Sequence, residues 1–124
     1  MNREIATDWA NDLRTEGILQ GQGYLRQGER YCCLGRLCNL YQTATGKGKW
    51  VPQGTSAVYK FVIGEEELSD YYDDQTLPYL VQDWAEMQAP NGRWDLFHAL
   101  SHENDNGASF PTIADLIEAH VEEL

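Results

Sequence analysis

Three stretches of this chain repeat apolar residues at helical spacing, and the glycines and prolines between them leave room only for short elements. Ile5, Trp9 and Leu13 recur every four residues beside Ala6 and Ala10, while Arg3, Asp8, Asn11 and Arg14 fall on the other face. Such a stripe predicts an amphipathic helix over residues 3–16, with Gly17 just past its end as a left-handed cap. A second stripe, Cys33, Leu34, Leu37, Cys38, Leu40 and Tyr41, predicts a helix from 33 to about 44. Gly35 inside it costs roughly 1 kcal/mol against Ala, which implies that another backbone packs closely there. The third stripe, Phe110, Ile113, Ala114, Ile117 and Val121, predicts a last helix starting at Ser109 or Phe110.

The intervening segments read as turns, strands and shorter helices. Residues 24–26 and 30–32 form a hairpin turning over Gln27-Gly28-Glu29, and Gly46-Lys47-Gly48-Lys49 is a turn. Residues 50–51 and 58–63 are strands, with Pro52-Gln53-Gly54 as the break between them. Thr76-Leu77-Pro78 opens a helix, with Thr76 as N-cap and Pro78 in the first turn, where its missing N–H costs nothing. Its apolar face is Leu77, Leu80, Val81, Trp84 and Met87, and Ala89-Pro90-Asn91-Gly92 ends it. A short helix from 94 to about 101 is expected to bury Phe97 and Leu100, and Asn104-Asp105-Asn106-Gly107 to make a tight turn. The expected fold is α+β: about five short helices with a small antiparallel sheet. With 124 residues, a single compact domain over 1–124 is expected, large enough to bury roughly two-thirds of the unfolded chain's surface.

Charge is divided unevenly along the chain. Residues 1–60 carry eight Lys/Arg against five Asp/Glu, or +3. Residues 61–124 carry fifteen Asp/Glu against a single Arg93, or −14. An excess of one sign steers approaching molecules, so the second half speaks against direct nucleic-acid binding and for a basic partner. The densest run is Glu65, Glu66, Glu67, Asp70, Asp73 and Asp74, with Tyr71 and Tyr72 among them as aromatic anchors. This exposed loop is the partner-binding candidate. No apolar run approaches the roughly 18 residues of a membrane span, and the polar segment from Met1 to Trp9 has no apolar core like that of a signal peptide. A cytoplasmic protein without a membrane partner is expected.

Candidate chemistry is sparse. Cys32, Cys33 and Cys38 crowd into seven residues, a poor disulfide framework, and read as buried free thiols. Cys33 begins an apolar stripe, where burial would leave it inert rather than nucleophilic. Asp95, His98 and His102 stand at i, i+3 and i+7, a spacing that on one helix could offer three metal ligands, although the simpler reading is a solvated polar face opposite Phe97 and Leu100, and no metal is assigned. Asn104-Asp105-Asn106-Gly107 lacks the first and twelfth acidic ligands of a calcium loop, positions that fall on His102 and Ile113. Gly21 and Gly23 do not open a helix after a strand, so they make no phosphate loop. No catalytic residue and no cofactor are assigned.

Three segments together are similar to a known family. Tyr31-Cys32-Cys33-Leu34-Gly35-Arg36-Leu37-Cys38, then Leu77-Pro78 with Val81 and Trp84, then Asn104-Asp105-Asn106-Gly107-Ala108-Ser109-Phe110 running into Ile113-Ala114-Asp115-Leu116-Ile117-Glu118, resemble small uncharacterised proteins of tailed phages and prophages. Trp9, Leu13 and the stretch from Gln20 to Tyr24 fit as well. Arg36 departs from the apolar residue expected between Gly35 and Leu37. The resemblance implies a phage accessory protein in the host bacterial cytoplasm, and no activity.

Two classes of function follow. The first is a non-enzymatic binder or inhibitor of a basic host protein, such as a defence component, with carboxylates standing where nucleic-acid phosphates would lie. The alternative is a nucleotide-signal sponge, walled by Trp50, Trp84 and Trp94 and drawing phosphates toward Arg26, Arg30, Arg36, Lys47 and Lys49. A metal-dependent enzyme built on Asp95, His98 and His102 is a further alternative.

Overall fold

A computed structural model describes residues 1–64 and 73–124 of the chain. The first helix, α1 (Arg3–Leu13), starts where Asn2 Oδ1 accepts the Ile5 N–H at 3.0 Å. It buries Ala6, Trp9, Ala10 and Leu13, the stripe expected of it. It stops at Leu13 rather than at residue 16, and the chain reverses over Gly17 at φ +83°.

The strands β1 (Arg26–Gln27) and β2 (Arg30–Tyr31) form the hairpin, shorter than expected, with a two-residue loop at Gly28 and Glu29. β1 also pairs with β4 (Val58–Val62), and β4 with β3 (Lys49–Gln53), giving an all-antiparallel sheet in the order β2-β1-β4-β3. The expected break at Pro52 does not occur: Pro52 lies within β3, opposite Tyr59. β3 is an edge strand, so a residue without an N–H is tolerated in it. The turn comes later, between Gly54 and Ala57.

Between the two hairpins runs α2 (Cys33–Thr45), closed by Gly46 in the left-handed conformation. The close approach inferred at Gly35 is present: a Cβ there would stand 2.0 Å from the Leu25 carbonyl oxygen. That carbonyl accepts the Cys32 N–H at 3.2 Å, so the β1 entry is fixed against the start of α2. Arg36 emerges beside this contact and makes a two-pronged ion pair with Asp12 of α1 at 2.9 and 2.7 Å. The helix face is therefore polar at one point, and that point is satisfied.

The next helices depart further from expectation. α3 (Tyr79–Trp84) is capped by Pro78, not Thr76, because Asp73 Oδ1 takes the N–H groups of Gln75 and Thr76 and holds them in a turn. It ends before Glu86 at φ +56°, well short of Ala89-Pro90-Asn91-Gly92. Met87 is buried after the helix rather than on it, and Leu80 is 46% exposed. No helix covers residues 94–99. α4 (Leu100–Asp105) begins where that helix was expected to end, and contains the Asn104 and Asp105 assigned to a turn. α5 (Phe110–Ala119) starts as expected, with Ser109 Oγ accepting the Thr112 N–H at 3.3 Å. It lies antiparallel to α1: Arg3 pairs with Glu122 at 2.5 Å, and Arg14 pairs with Asp115 at 2.6 Å and with Glu118.

Five helices and the four-stranded sheet of the described residues thus enclose one core, an α+β domain. Trp9 is its centre, fully buried with its indole N–H donating to the Cys33 carbonyl at 2.9 Å. Edge-to-face rings connect sheet to helices in one chain, from Tyr31 through Trp50, Phe61 and Tyr41 to Trp84. No described helix is long and apolar enough to cross a membrane.

Candidate interaction site

Residues 93–99 form a small loop instead of a helix, and its chemistry is local. Asp95 Oδ1 accepts the N–H groups of Phe97 and His98 at 2.7 and 2.8 Å, a turn that an Asp side chain closes on its own backbone. The Trp94 N–H donates to the His98 carbonyl at 3.1 Å, and Arg93 bridges antiparallel to Ala99. The base of the loop is held by Gly92 at φ +73°, where a Cβ would stand 2.9 Å from the Leu100 side chain.

This geometry leaves Leu96 and Phe97 at the tip, each 84% exposed. The expected burial of Phe97 is thus reversed, while Leu100 is buried as expected. An exposed Leu or Phe alone is ordinary, but two adjacent ones on a turn make a small exposed apolar patch. Trp94 stacks on two imidazoles, His98 at 5.4 Å and His120 at 4.7 Å, with interplanar angles of 15° and 17°. His98 Nδ1 lies 2.8 Å from Asp95 Oδ2. The same turn hydrogen bonds hold the Asp95 carboxyl below its ordinary range, led by the Phe97 N–H. The turn is therefore fixed from both sides.

Of the candidate ligands Asp95, His98 and His102, the first two pair in this loop, while His102 lies on α4 and lines a cavity with His98 but makes no three-residue group with them. Among the described residues no three His, Cys, Asp or Glu side chains are grouped to hold a metal ion. The acidic candidate Glu65, Glu66, Glu67, Asp70, Tyr71 and Tyr72 lies outside the described residues. Asp73 is the turn-closing residue ahead of α3, and the Asp74 carbonyl accepts the Leu25 N–H at 2.8 Å. The tryptophans do not wall one pocket: Trp50 and Trp84 belong to the chain of rings and Trp94 to the histidine stack. Among the basic candidates, Arg26 lies over the Tyr59 ring at 4.0 Å and Arg36 is paired with Asp12.

The three cysteines are free and buried, as their spacing implied. Desolvation pushes the Cys32 thiol up to about 11 and those of Cys33 and Cys38 well above their ordinary value, so none is a thiolate near neutral pH.

Asn104 is the polar residue whose weight the sequence pattern hides. It is the fully buried polar side chain of the described core, and it joins three segments. Its Oδ1 accepts from Gln20 Nε2 at 3.0 Å and from the Cys33 N–H at 3.1 Å, while its Nδ2 donates to the Gly21 carbonyl at 2.8 Å. Asp105 Oδ1 adds the Gly23 N–H at 2.9 Å. The motifs around Gln20, Cys33 and Asn104 are therefore one hydrogen-bonded joint, with a structural role. An Asn in a segment that otherwise reads as a turn gives no sign of this.

No curated protein and no solved structure matches the chain. One family pattern does, and it runs over residues 1–121. The sequence motifs around Trp9, Cys33, Leu77 and Asn104 all lie within that span. The chain belongs to the family described as Domain of unknown function (DUF8296).

Proposed function

We propose that this protein is a non-enzymatic binder of a bacterial host protein, and that Leu96 and Phe97 are its anchor. The observation that carries the reading is the 84% exposure of both side chains on a turn closed by Asp95 beside stacked Trp94. A rigid turn loses little conformational freedom on binding, so the apolar area it buries is translated efficiently into affinity. Asp95 and Glu123 line a cavity of about 360 Å³ beside Leu96 together with Arg93, so two carboxylates and one guanidinium flank the anchor. The acidic half of the chain supplies long-range attraction to a basic surface, with residues 65–74 contributing charge. The likeness to tailed-phage and prophage proteins supports a host protein, and a bacterial cytoplasm, as the setting. Occupation of a nucleic-acid groove by carboxylates is the inhibitory form this reading takes.

The test compares the immobilised wild-type chain with a Leu96→Ser/Phe97→Ser variant in bacterial lysate, at low and high salt. The wild type is expected to retain a basic protein that the variant binds more than about tenfold more weakly. Retention should fall as salt rises. If the variant retains the same proteins with the same affinity, the anchor is wrong.

A further inference from the structure

Four separated stretches of the chain bring polar side chains together around a cavity of about 270 Å³: Tyr24, then Gln75 and Thr76, then Asn91, then Ser101 with Asp105. Hydrogen bonds from the backbone hold these stretches in place. The Gly23 N–H donates to Asp105 Oδ1 at 2.9 Å, the Leu25 N–H to the Asp74 carbonyl at 2.8 Å and the Ser101 N–H to the Asn91 carbonyl at 3.2 Å. Ser101 and Asp105 stand one turn apart on the same face of α4. The cavity is thus formed before any ligand arrives, as small-molecule sites usually are.

What its side chains lack is partners. Among the described residues the hydroxyls of Tyr24, Thr76 and Ser101, the Gln75 amide and Asn91 Nδ2 make no hydrogen bond, whereas Asn91 Oδ1 accepts the Arg93 N–H at 3.1 Å. No basic residue is among the described lining, Asp105 is, and Asp73 and Asp74 immediately precede Gln75. These acidic surroundings disfavour a phosphate or carboxylate ligand. An ammonium would suit Asp105, but it has three donors and no acceptor, so the N–H groups of Asn91 and Gln75 would gain nothing from it. A hydroxyl both donates and accepts, and can therefore meet every one of these groups. The volume exceeds the roughly 150 Å³ that takes a benzene-sized ring and falls short of the roughly 300 Å³ at which pockets for drug-sized molecules begin. A single hydroxylated ring fits both the size and the chemistry.

We propose that the cavity between Tyr24, Thr76, Asn91 and α4 binds an uncharged sugar ring, carried by a free saccharide or by a nucleoside. Asp105 Oδ2 accepts from one ring hydroxyl and Asn91 Nδ2 donates to another, while the hydroxyls of Tyr24, Thr76 and Ser101 take either part. Leu96 and Phe97 are not among the lining, so the inference stands whether or not a host protein is bound.

Titration of the full chain, followed through its backbone amide NMR signals, tests the site. The probes are methyl glucoside, methyl galactoside, N-acetylglucosamine and adenosine, with adenosine monophosphate and putrescine as charged comparisons. At least one uncharged probe is expected to move the signals of Gly23, Thr76, Asn91 and Ser101 along one curve that saturates below roughly 10 mM. A response to the saccharides alone, or to adenosine alone, identifies which source carries the ring. Tyr24→Phe and Ser101→Ala should each weaken that binding roughly two- to tenfold, the loss of one net hydrogen bond. Neither hydroxyl has a described partner to lose, so thermal unfolding of both variants should match the wild type. The absence of a saturating shift with every uncharged probe overturns the inference. So does tighter binding of adenosine monophosphate than of adenosine, tighter binding of putrescine than of any sugar, or undiminished affinity in both variants. Lysate capture through Leu96 and Phe97 is expected to be the same in Tyr24→Phe and Ser101→Ala as in the wild type, so the two readings fail separately.

Discussion

Gly35 shows how one residue can be needed for space rather than for conformation. Alanine is the better helix former by about 1 kcal/mol. Yet a Cβ at this position would stand 2.0 Å from the Leu25 carbonyl oxygen and 2.9 Å from its carbon, and backbone cannot move aside as a side chain can. Gly35→Ala is expected to destabilise the fold by about 1–3 kcal/mol in urea unfolding, the usual cost of overpacking. A variant as stable as the wild type would mean that the strand and helix are less tightly apposed. The need for this glycine was legible, because a glycine weakens a regular apolar helix and is worth that cost where a neighbouring backbone excludes a side chain. The role of Asn104 was not. Its partners, Gln20, Gly21 and Cys33, are more than 70 residues away in the chain, and no local pattern encodes so distant a joint.

At the level of elements, the loop over 93–99 shows local hydrogen bonding overriding helical spacing. Phe97 and Leu100 have the separation of a helix face, but Asp95 offers its carboxylate to the N–H groups of Phe97 and His98 first. Because those bonds lower the Asp95 carboxyl, the turn's contribution is complete above the ordinary carboxylate range and is lost as pH falls through the lowered value. Trp94, stacked on both His98 and His120, reports on the loop. Its near-ultraviolet circular dichroism is expected to change below the ordinary carboxylate range in the wild type. In Asp95→Asn, which keeps the turn-closing oxygen but cannot titrate, that change should be absent. Persistence of the change would locate it in a group other than Asp95. The same competition shortens α3, where Asp73 captures the N–H groups of Gln75 and Thr76 that would otherwise begin it.

For the whole molecule, the thiols offer the most direct measure of cooperativity. Cys33 and Cys38 are fully buried in the core and Cys32 is 5% exposed, beneath the joint made by Asn104. A thiol reagent is expected to leave all three unmodified in the native protein near neutral pH, and to react at the rate of global unfolding once denaturant is added. Rapid labelling of one cysteine would show that the joint opens on its own. Charge is also reorganised at this scale. Asp12, Asp115, Glu118 and Glu122 are held by Arg36, Arg14 and Arg3, so part of the acidic excess fastens α1 to α2 and α5 instead of facing a partner.

Helical periodicity, the cysteine core, the α+β class and the last helix could be read from the residues, because each depends on spacing within one turn or two of the chain. The exposure of Leu96 and Phe97, the cavity between Tyr24, Thr76, Asn91 and α4, and the joint at Asn104 could not. Those depend on which segments come together across the core, and a pair of apolar residues looks the same in sequence whether the fold covers it or leaves it in water.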